Sequence, residues 1–450
     1  MNLIGASILF LLVLIVFLAG RKTALLGMMA GVLFLTQSQA LDLFGFNMFA
    51  MRFLELAGFA RVVARREFSF SGLNPIDRAM LLLYTFTPIV YVLRASEGQT
   101  YVVGAAVDAV LCYFTFRGLI GNIEDFKWFL DAFILLLAPY AALLLLETLT
   151  AHVPFRVLGA EDIGWAREGR PRCIGSFRNP TLLGTLGASF LPLYIGSFLA
   201  QTARRRLSLA GIGLCIFIVW SSNSGGSAAC AGVGMLGWLL WRLRAKMYWV
   251  RRSVAVGIFL LALVMKAPVW YLLARVSSIT GGDGYHRAHL LDMAFQRLGR
   301  WWFAGMPVKD TADWFPYVQQ VTGGADMTNY FLAFGITAGL GSMILFVLLL
   351  KRTFSMLGIA LARSRSTKTL SAGSDYILWG LGVMLAAHIF NWLGITYFDQ
   401  TQVYWYMQLA AISNLSGTWA PEVGSQAEDN VNLEVADTPL TTQVPTEGIL

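Results

Sequence analysis

Apolar runs about as long as a bilayer is thick recur along nearly the whole chain, and no other feature restricts its folding so strongly. A helix needs about 20 mostly apolar residues to cross the hydrocarbon core. Such runs fall near 3–20, 23–40, 43–60, 77–94, 101–118, 128–150, 179–200, 207–222, 225–241, 253–272, 328–350, 375–396 and 400–415, the third interrupted by Arg52. They are continuous rather than alternating, which argues against barrel strands. In lipid only helices and closed barrels satisfy the backbone. Composition agrees, with 57% hydrophobic and 13% charged residues, where soluble domains carry about 25% charged. The sequence predicts an all-α polytopic membrane protein of about 12–14 transmembrane helices.

Loop charge gives the orientation. Cytoplasmic loops collect Lys and Arg when they are short. With the N-terminus outside, the inward loops hold Arg21/Lys22, Arg61/Arg65/Arg66, Arg117/Lys127, Arg204–Arg206, the run from Arg242 to Arg252, and Lys351/Arg352/Arg363/Arg365/Lys368. The short outward loops hold almost none. The net charge of +8 is thus a topology signal and calls for no nucleic acid. Met1–Gly20 lacks a basic n-region and reads as an uncleaved first span. The expected organisation is a transmembrane domain over 1–419 and, over 420–450, a disordered cytoplasmic tail. After Trp419 the chain has six acidic residues and no Lys or Arg.

Two outward segments are long, 151–178 and 273–327, and long loops in compact proteins commonly carry function. The first holds Arg156, Glu161, Asp162, Arg167, Arg170, Arg172 and Arg178; the second holds Asp283, His286, Arg287, His289, Asp292, Arg300 and Asp326 among tryptophans and tyrosines. Within it, 287–303 is predicted to be an amphipathic helix, with His289, Asp292, Gln296 and Arg300 on one face and Leu290, Leu291, Ala294, Phe295 and Leu298 mainly on another. It reads either as a cover over a site or as an interfacial helix set among headgroups.

No phosphate-binding glycine loop and no HExxH occurs. The four cysteines (Cys112, Cys173, Cys215, Cys230) have neither disulfide nor metal spacing, so no metal and no cofactor are expected. His388 lies in a span and is read as hydrogen-bonded to a neighbouring helix. Arginine is the residue that stands out. Its planar fork binds phosphate bidentately and stays charged. Arg172 and Arg178 flank Gly175, and Asn179-Pro180 starts a helix whose N-terminus adds partial positive charge. The stretch suits a lipid-linked phosphate or diphosphate, or else simply anchors a helix end.

The stretch "RCIGSFRNPTLLGTLGASFLPL" resembles the segment of the O-antigen ligase and polymerase family with R-x-x-G-x-F-x-N-P-N followed by a small-residue helix. "SSNSGGSAACAGVGM" (221–235) resembles the family's T-x-S-R-G-A-type helix start through Ser222, Ser224 and Gly226, with Gly225 where an arginine is expected. "YHRAHLLDMAFQRLGRWWFAGMP" followed by "MTNYFLAFGITAGLGSMILF" resembles the large periplasmic loop, with Arg287, Gly305 and the approach to the next helix. The resemblance covers roughly 170–350.

It implies a metal-independent glycosyltransferase on the periplasmic face of a bacterial inner membrane. The donor would be a polyprenyl-diphosphate-linked oligosaccharide and the acceptor a glycan, a glycolipid or a protein, with other polysaccharide assembly proteins as partners. Arg172, Arg178 and Arg287 would neutralise the leaving diphosphate. Arg170, Asn179, Arg300 and Asn329 would join in substrate binding, and Trp301, Trp302 and Trp314 would offer faces to sugars. Thr328 stands where family ligases have a histidine, so that base does not carry over. His286, His289 and Asp326 are the substitutes, or the arginines act alone. The rival reading is a transporter or flippase for lipid-linked glycans, with Asp108, Asp131 and Lys266 as candidate intramembrane charges; a non-enzymatic scaffold is a third.

Overall fold

The computed structural model describes residues 1–43, 46–95, 97–162, 164, 166–200, 204–280, 284–314, 323–366 and 373–417. The acidic tail, Asp283, Tyr317 and Lys368 lie outside the described residues. The chain is helical almost throughout. Its first half contains α1 (Leu3–Leu18), α2 (Arg21–Phe34), α3 (Ala50–Ala64), α4 (Pro75–Arg94), α5 (Gln99–Leu119), α6 (Ile123–Thr150) and α7 (Pro180–Ala200). Its second half contains α8 (Arg205–Ser221), α9 (Gly225–Leu239), α10 (Met247–Val264), α11 (Leu272–Thr280), α12 (Gly284–Gln296), α13 (Leu298–Trp301), α14 (Tyr330–Ser366), α15 (Ser374–Trp392) and α16 (Gln400–Gly417). Two small antiparallel hairpins complete it, β1 (Ala40–Leu43) with β2 (Phe46–Phe49) and β3 (Ala166–Arg167) with β4 (Arg170–Pro171).

Helix starts follow from side-chain caps, which satisfy the first free backbone N–H groups. Asn2 accepts from Gly5 N, Asn122 accepts from Asp125 N, and Asn74 forms a capping box with Asp77 ahead of Pro75. Among the described residues six stretches are long and apolar enough to cross a membrane. α15 and α16 are of similar length but less apolar. They bury His388, Asn391, Gln400, Thr401, Gln408 and Ser413, and so hold the middle of the bundle. α10 is the opposite case: it buries no residue and packs only beside the short turns that flank it.

The ends of the helices sort into two groups. At one end Arg21 donates to Gly118 O, Lys22 pairs with Asp125 at 2.9 Å, and Arg61 donates to Val16 O, Ala19 O and Glu67. Asp77, fully buried there, accepts from Arg117 Nε (2.8 Å) and Nη2 (2.9 Å), Tyr113 OH (2.5 Å) and Asn74 N (2.9 Å). At the other end the N-terminal amine donates to Ala40 O, Asn2 to Val157 O, and Gln39 to Leu158 O. Both long segments lie at this second end, the loop end.

Three expectations change. The run 43–60 does not cross as one helix: β1 and β2 occupy its start and α3 begins only at Ala50, because Arg52 is held to Asp108 and to Asn47 O at the loop end. The run 328–350 is not one helix either. Ala338 (φ −147°) and Gly339 (φ 79°) break α14. Phe334 and Phe346 stack 4.7 Å apart, and Tyr330 lies 5.4 Å from Phe346, where a straight helix would hold the first pair about 18 Å apart. The residues before the break therefore form an arm folded back on the helix after it. A side chain at Gly339 would place Cβ 2.3 Å from Phe303 O, and the turn is clamped by Met306 N to Ile336 O and Leu340 N to Trp302 O.

The third change concerns 287–303. It forms α12 and α13 with a break at Arg297. α12 buries His286, Leu290 and Ala294, while Phe295, expected on the apolar face, is 56% exposed. Asp292, expected on the polar face, is taken up by Trp270 Nε1 (2.7 Å) and Tyr271 OH (2.5 Å).

Candidate functional site

The loop end is organised around a short connection between α15 and α16, residues 393–399. Thr396 Oγ1 donates to Met327 O. Tyr397 OH bonds His388 Nδ1 at 2.6 Å and accepts from Asn391 Nδ2, which also reaches Thr185 Oγ1. Asp399 Oδ2 lies 2.9 Å from Arg178 Nε. Gln400 Nε2, just beyond, donates to Leu35 O and Ser176 O. A Cβ at Gly394 would meet Arg287 Nε at 3.3 Å. Two arginines from separate long segments thus reach one connection, which carries a carboxyl. His388 is hydrogen-bonded, as expected, but to the connection after its own helix rather than to a neighbouring helix.

Asp399 is 15% exposed at its side chain and has a left-handed backbone, φ 54°, a region Asp tolerates better than most residues. Burial pushes its carboxyl up to about 6, against the pull of Arg178 in the other direction. Tyr101, exposed at the start of α5, is within electrostatic range of both and of Arg52 and Asp108.

The collar 172–178 is strapped from several sides. Gly175 has φ 57°, and a Cβ there would lie 2.4 Å from Tyr140 OH, so only glycine fits. The bend aims the N–H groups of Ile174 and Gly175 at one place, which an anion would be expected to fill. The anion is the chain's own: Glu147, at the end of α6, accepts from Ile174 N at 2.7 Å and Gly175 N at 3.1 Å. That backbone nest is therefore closed to a substrate phosphate. Asn179 is committed as well, its Oδ1 accepting from Thr181 N at the start of α7.

Arg172 and Arg178 have different neighbours. Arg172 lines a cavity of about 270 Å³ with Glu147, Asp162 and Pro171. Burial and the nearby Arg167 lower its pKa. Arg170 lies over the Trp220 ring at 4.8 Å. Ser224 and Ser227 bond Thr181, and Gly184 leaves room for Ser222 and Ser227, so the 221–235 stretch joins α7 to α9 by close packing.

In the second segment His286 is buried, with 4% exposure. Trp301 and Trp314 are core residues of a small apolar cluster, and Trp301 Nε1 donates to Ala294 O. Neither ring offers a free face to a sugar. Trp302, 51% exposed, does. Arg300 is exposed. Asn329 is buried and caps the folded-back arm through Leu332 N. Asp326 is half-buried, one residue from the Met327 carbonyl that Thr396 holds.

The charges expected for a transport path are mostly paired. Asp108 takes Arg52 and Asp131 takes Arg204, while Lys266 is exposed past the end of α10. Among the described residues no group of His, Cys, Asp and Glu could hold a metal, and all four cysteines are free. Sequence reading missed Asp399 and Glu147. The stretch "TYFDQTQ" packs six hydrogen-bonding side chains between two spans, and Glu147 ends an apolar run; both were visible signals. No protein-family model matches this chain, and no curated protein matches it at a significant level.

Proposed function

We propose that the chain is a membrane glycosyltransferase working on a polyprenyl-diphosphate-linked oligosaccharide, with its loop end in the periplasm of a bacterial inner membrane. The observation that carries this reading is the meeting of Arg178 and Arg287, from separate segments, at the one connection that bears Asp399. The acceptor hydroxyl of a second glycan or glycolipid attacks the anomeric carbon, and the bond to the diphosphate oxygen breaks. Charge develops on the leaving diphosphate, where fixed cations lower the barrier most. Arg178 and Arg287 supply them.

The hydroxyl proton passes to Asp399. A base is most effective when its pKa lies near the working pH, and a carboxyl at about 6 approaches that. The donor and Asp399 compete for Arg178. Once the diphosphate draws the guanidinium away, the carboxyl loses its counter-charge and becomes a stronger base at the moment it is needed. Trp302 and Tyr101 offer exposed rings to sugars. Arg172, with its cavity beside Asp162, is set apart from this centre and suits the glycan rather than the diphosphate.

The test is the surface glycan of cells lacking the protein. Single lipid-linked repeat units in place of long chains mean a polymerase; complete but unattached chains mean a ligase. Unchanged glycans on both counts refute the reading.

A further inference from the structure

The fold contains a carboxyl that the proposed chemistry does not use. Glu55 lies on α3, three residues after Arg52, and is 4% exposed. Its Oε2 is buried with no hydrogen-bond partner among the described residues. The ionisable groups that act on it are few. Asp108 of α5 and Arg52 on its own helix are the charged ones, and the Cys112 thiol of α5 stands nearby. α1, which also packs on α3, has no ionisable side chain. Those of α2, Arg21 and Lys22, are at the opposite end, held by Gly118 O and Asp125.

Arg52 is turned towards Asp108 and Asn47, and none of its hydrogen bonds goes to Glu55. Its Nε bonds Asp108 Oδ1 at 2.8 Å and Oδ2 at 2.9 Å, its Nη2 bonds Oδ2 at 2.8 Å, and its Nη1 bonds Asn47 O at 2.8 Å. The cluster therefore holds two carboxyls and one guanidinium, which forks onto Asp108 rather than Glu55. An ionised Glu55 would be a buried charge without a partner, beside a like charge. Such a charge costs several kcal/mol even after relaxation, and the neutral acid avoids that cost.

We infer that Glu55 is a proton-binding site, loaded at neutral pH and reached from the loop end past the Arg52–Asp108 pair. Arg52 and Asp108 keep 19% and 24% side-chain exposure, so the pair forms the wet rim of the site and Glu55 its dry floor. Gly104, one turn above Asp108, gives the guanidinium its space: a Cβ there would lie 2.8 Å from Arg52 Nη2. Loss of the proton sets Glu55 against Asp108 and in competition for Arg52, so proton occupancy controls how α3 and α5 are joined. The inference does not rest on the glycosyltransferase reading.

The test uses the full-length protein in lipid nanodiscs and dicyclohexylcarbodiimide, which modifies protonated carboxyls in apolar surroundings. Peptide mass spectrometry should find the adduct on Glu55 at about pH 6–7, above the ordinary glutamate range. Asp108 should stay unmodified. Absence of the adduct at every pH overturns the inference. Saturable protection by sodium chloride, but not by choline chloride at the same pH, also overturns it and identifies a metal cation as the occupant.

A second measurement is the melting temperature of Glu55→Gln, whose side chain mimics the neutral acid. The variant should match the parent at about pH 4, below the ordinary glutamate value, and surpass it increasingly as the pH rises, since the unfolded parent then gives up its proton while the folded one keeps it. A difference between the two that does not change with pH overturns the inference, whatever its sign.

Discussion

Replacing Asp399 by Asn should abolish activity and stabilise the protein, two effects that an ordinary structural carboxylate would not show together. The variant is chosen for the backbone. Asp399 has φ 54°, a conformation that Asn adopts as readily as Asp, so the change removes charge without bending the chain. Losing a general base costs about 10²–10⁴ in rate. The stability effect has the opposite sign. Burial lifts the carboxyl from the ordinary aspartate range to about 6, so the folded state holds its proton more tightly than the unfolded state does. Stability from this group is full below the unfolded value and is lost as the pH rises through about 6. At neutral pH the deficit is on the order of 3 kcal/mol, and a neutral Asn escapes it. Initial rates of glycan transfer in proteoliposomes, together with thermal unfolding at about pH 5 and about pH 8, measure both effects. The parent's kcat/KM, which reports the unliganded protein, should climb through about pH 6 and reach only about a tenth of its plateau at pH 5. An active Asp399→Asn variant, or a parent rate flat across this range, refutes Asp399 as the base.

Other substitutions separate the remaining roles. Arg178→Lys and Arg287→Lys should each lower polymer formation at least about tenfold at equal membrane levels, because a lysine cannot reproduce the bidentate fork; near-normal activity in both would mean that the arginines only anchor their segments. Asp77→Asn should cost about 3–5 kcal/mol, the usual effect of breaking a buried ion pair, and a melting temperature within a degree or so of the parent would refute the structural role given to the Arg117 pair. Single cysteines at 310 and 365, both exposed positions, should react with an impermeant maleimide in spheroplasts at 310 and only after lysis at 365; the reverse pattern would invert the orientation.

Hydropathy made the helices legible, because a helix that must cross a bilayer needs a long apolar run. It could not reveal the fold-back in α14. Tyr330, Phe334 and Phe346 are apolar or aromatic whichever path the chain takes, and only the left-handed turn at Gly339 sets that path. The site was half legible. Arginines are conspicuous in outward loops, but which of them meet depends on tertiary partners. Glu147 withdraws the collar's backbone from ligand binding, and Asp399 claims Arg178. Both partners lie far from the collar or beyond it in sequence, where local pattern carries no information about pairing. The tryptophans misled for the same reason: adjacent Trp301 and Trp302 look alike in a string, yet one fills a core and the other faces outward.

The folded-back arm has a consequence for biogenesis. Counted from Tyr330 to Thr337 it is about 12 Å long, far short of the roughly 30 Å of a bilayer core, so a translocation channel cannot release it sideways as a stable unit. Its resting place is built later: Tyr330 packs on Trp392 and Tyr397, both synthesised after it. The arm cannot reach its final packing until Trp392 and Tyr397 have been made. Packing of the arm is thereby tied to synthesis of residues that follow it in the chain.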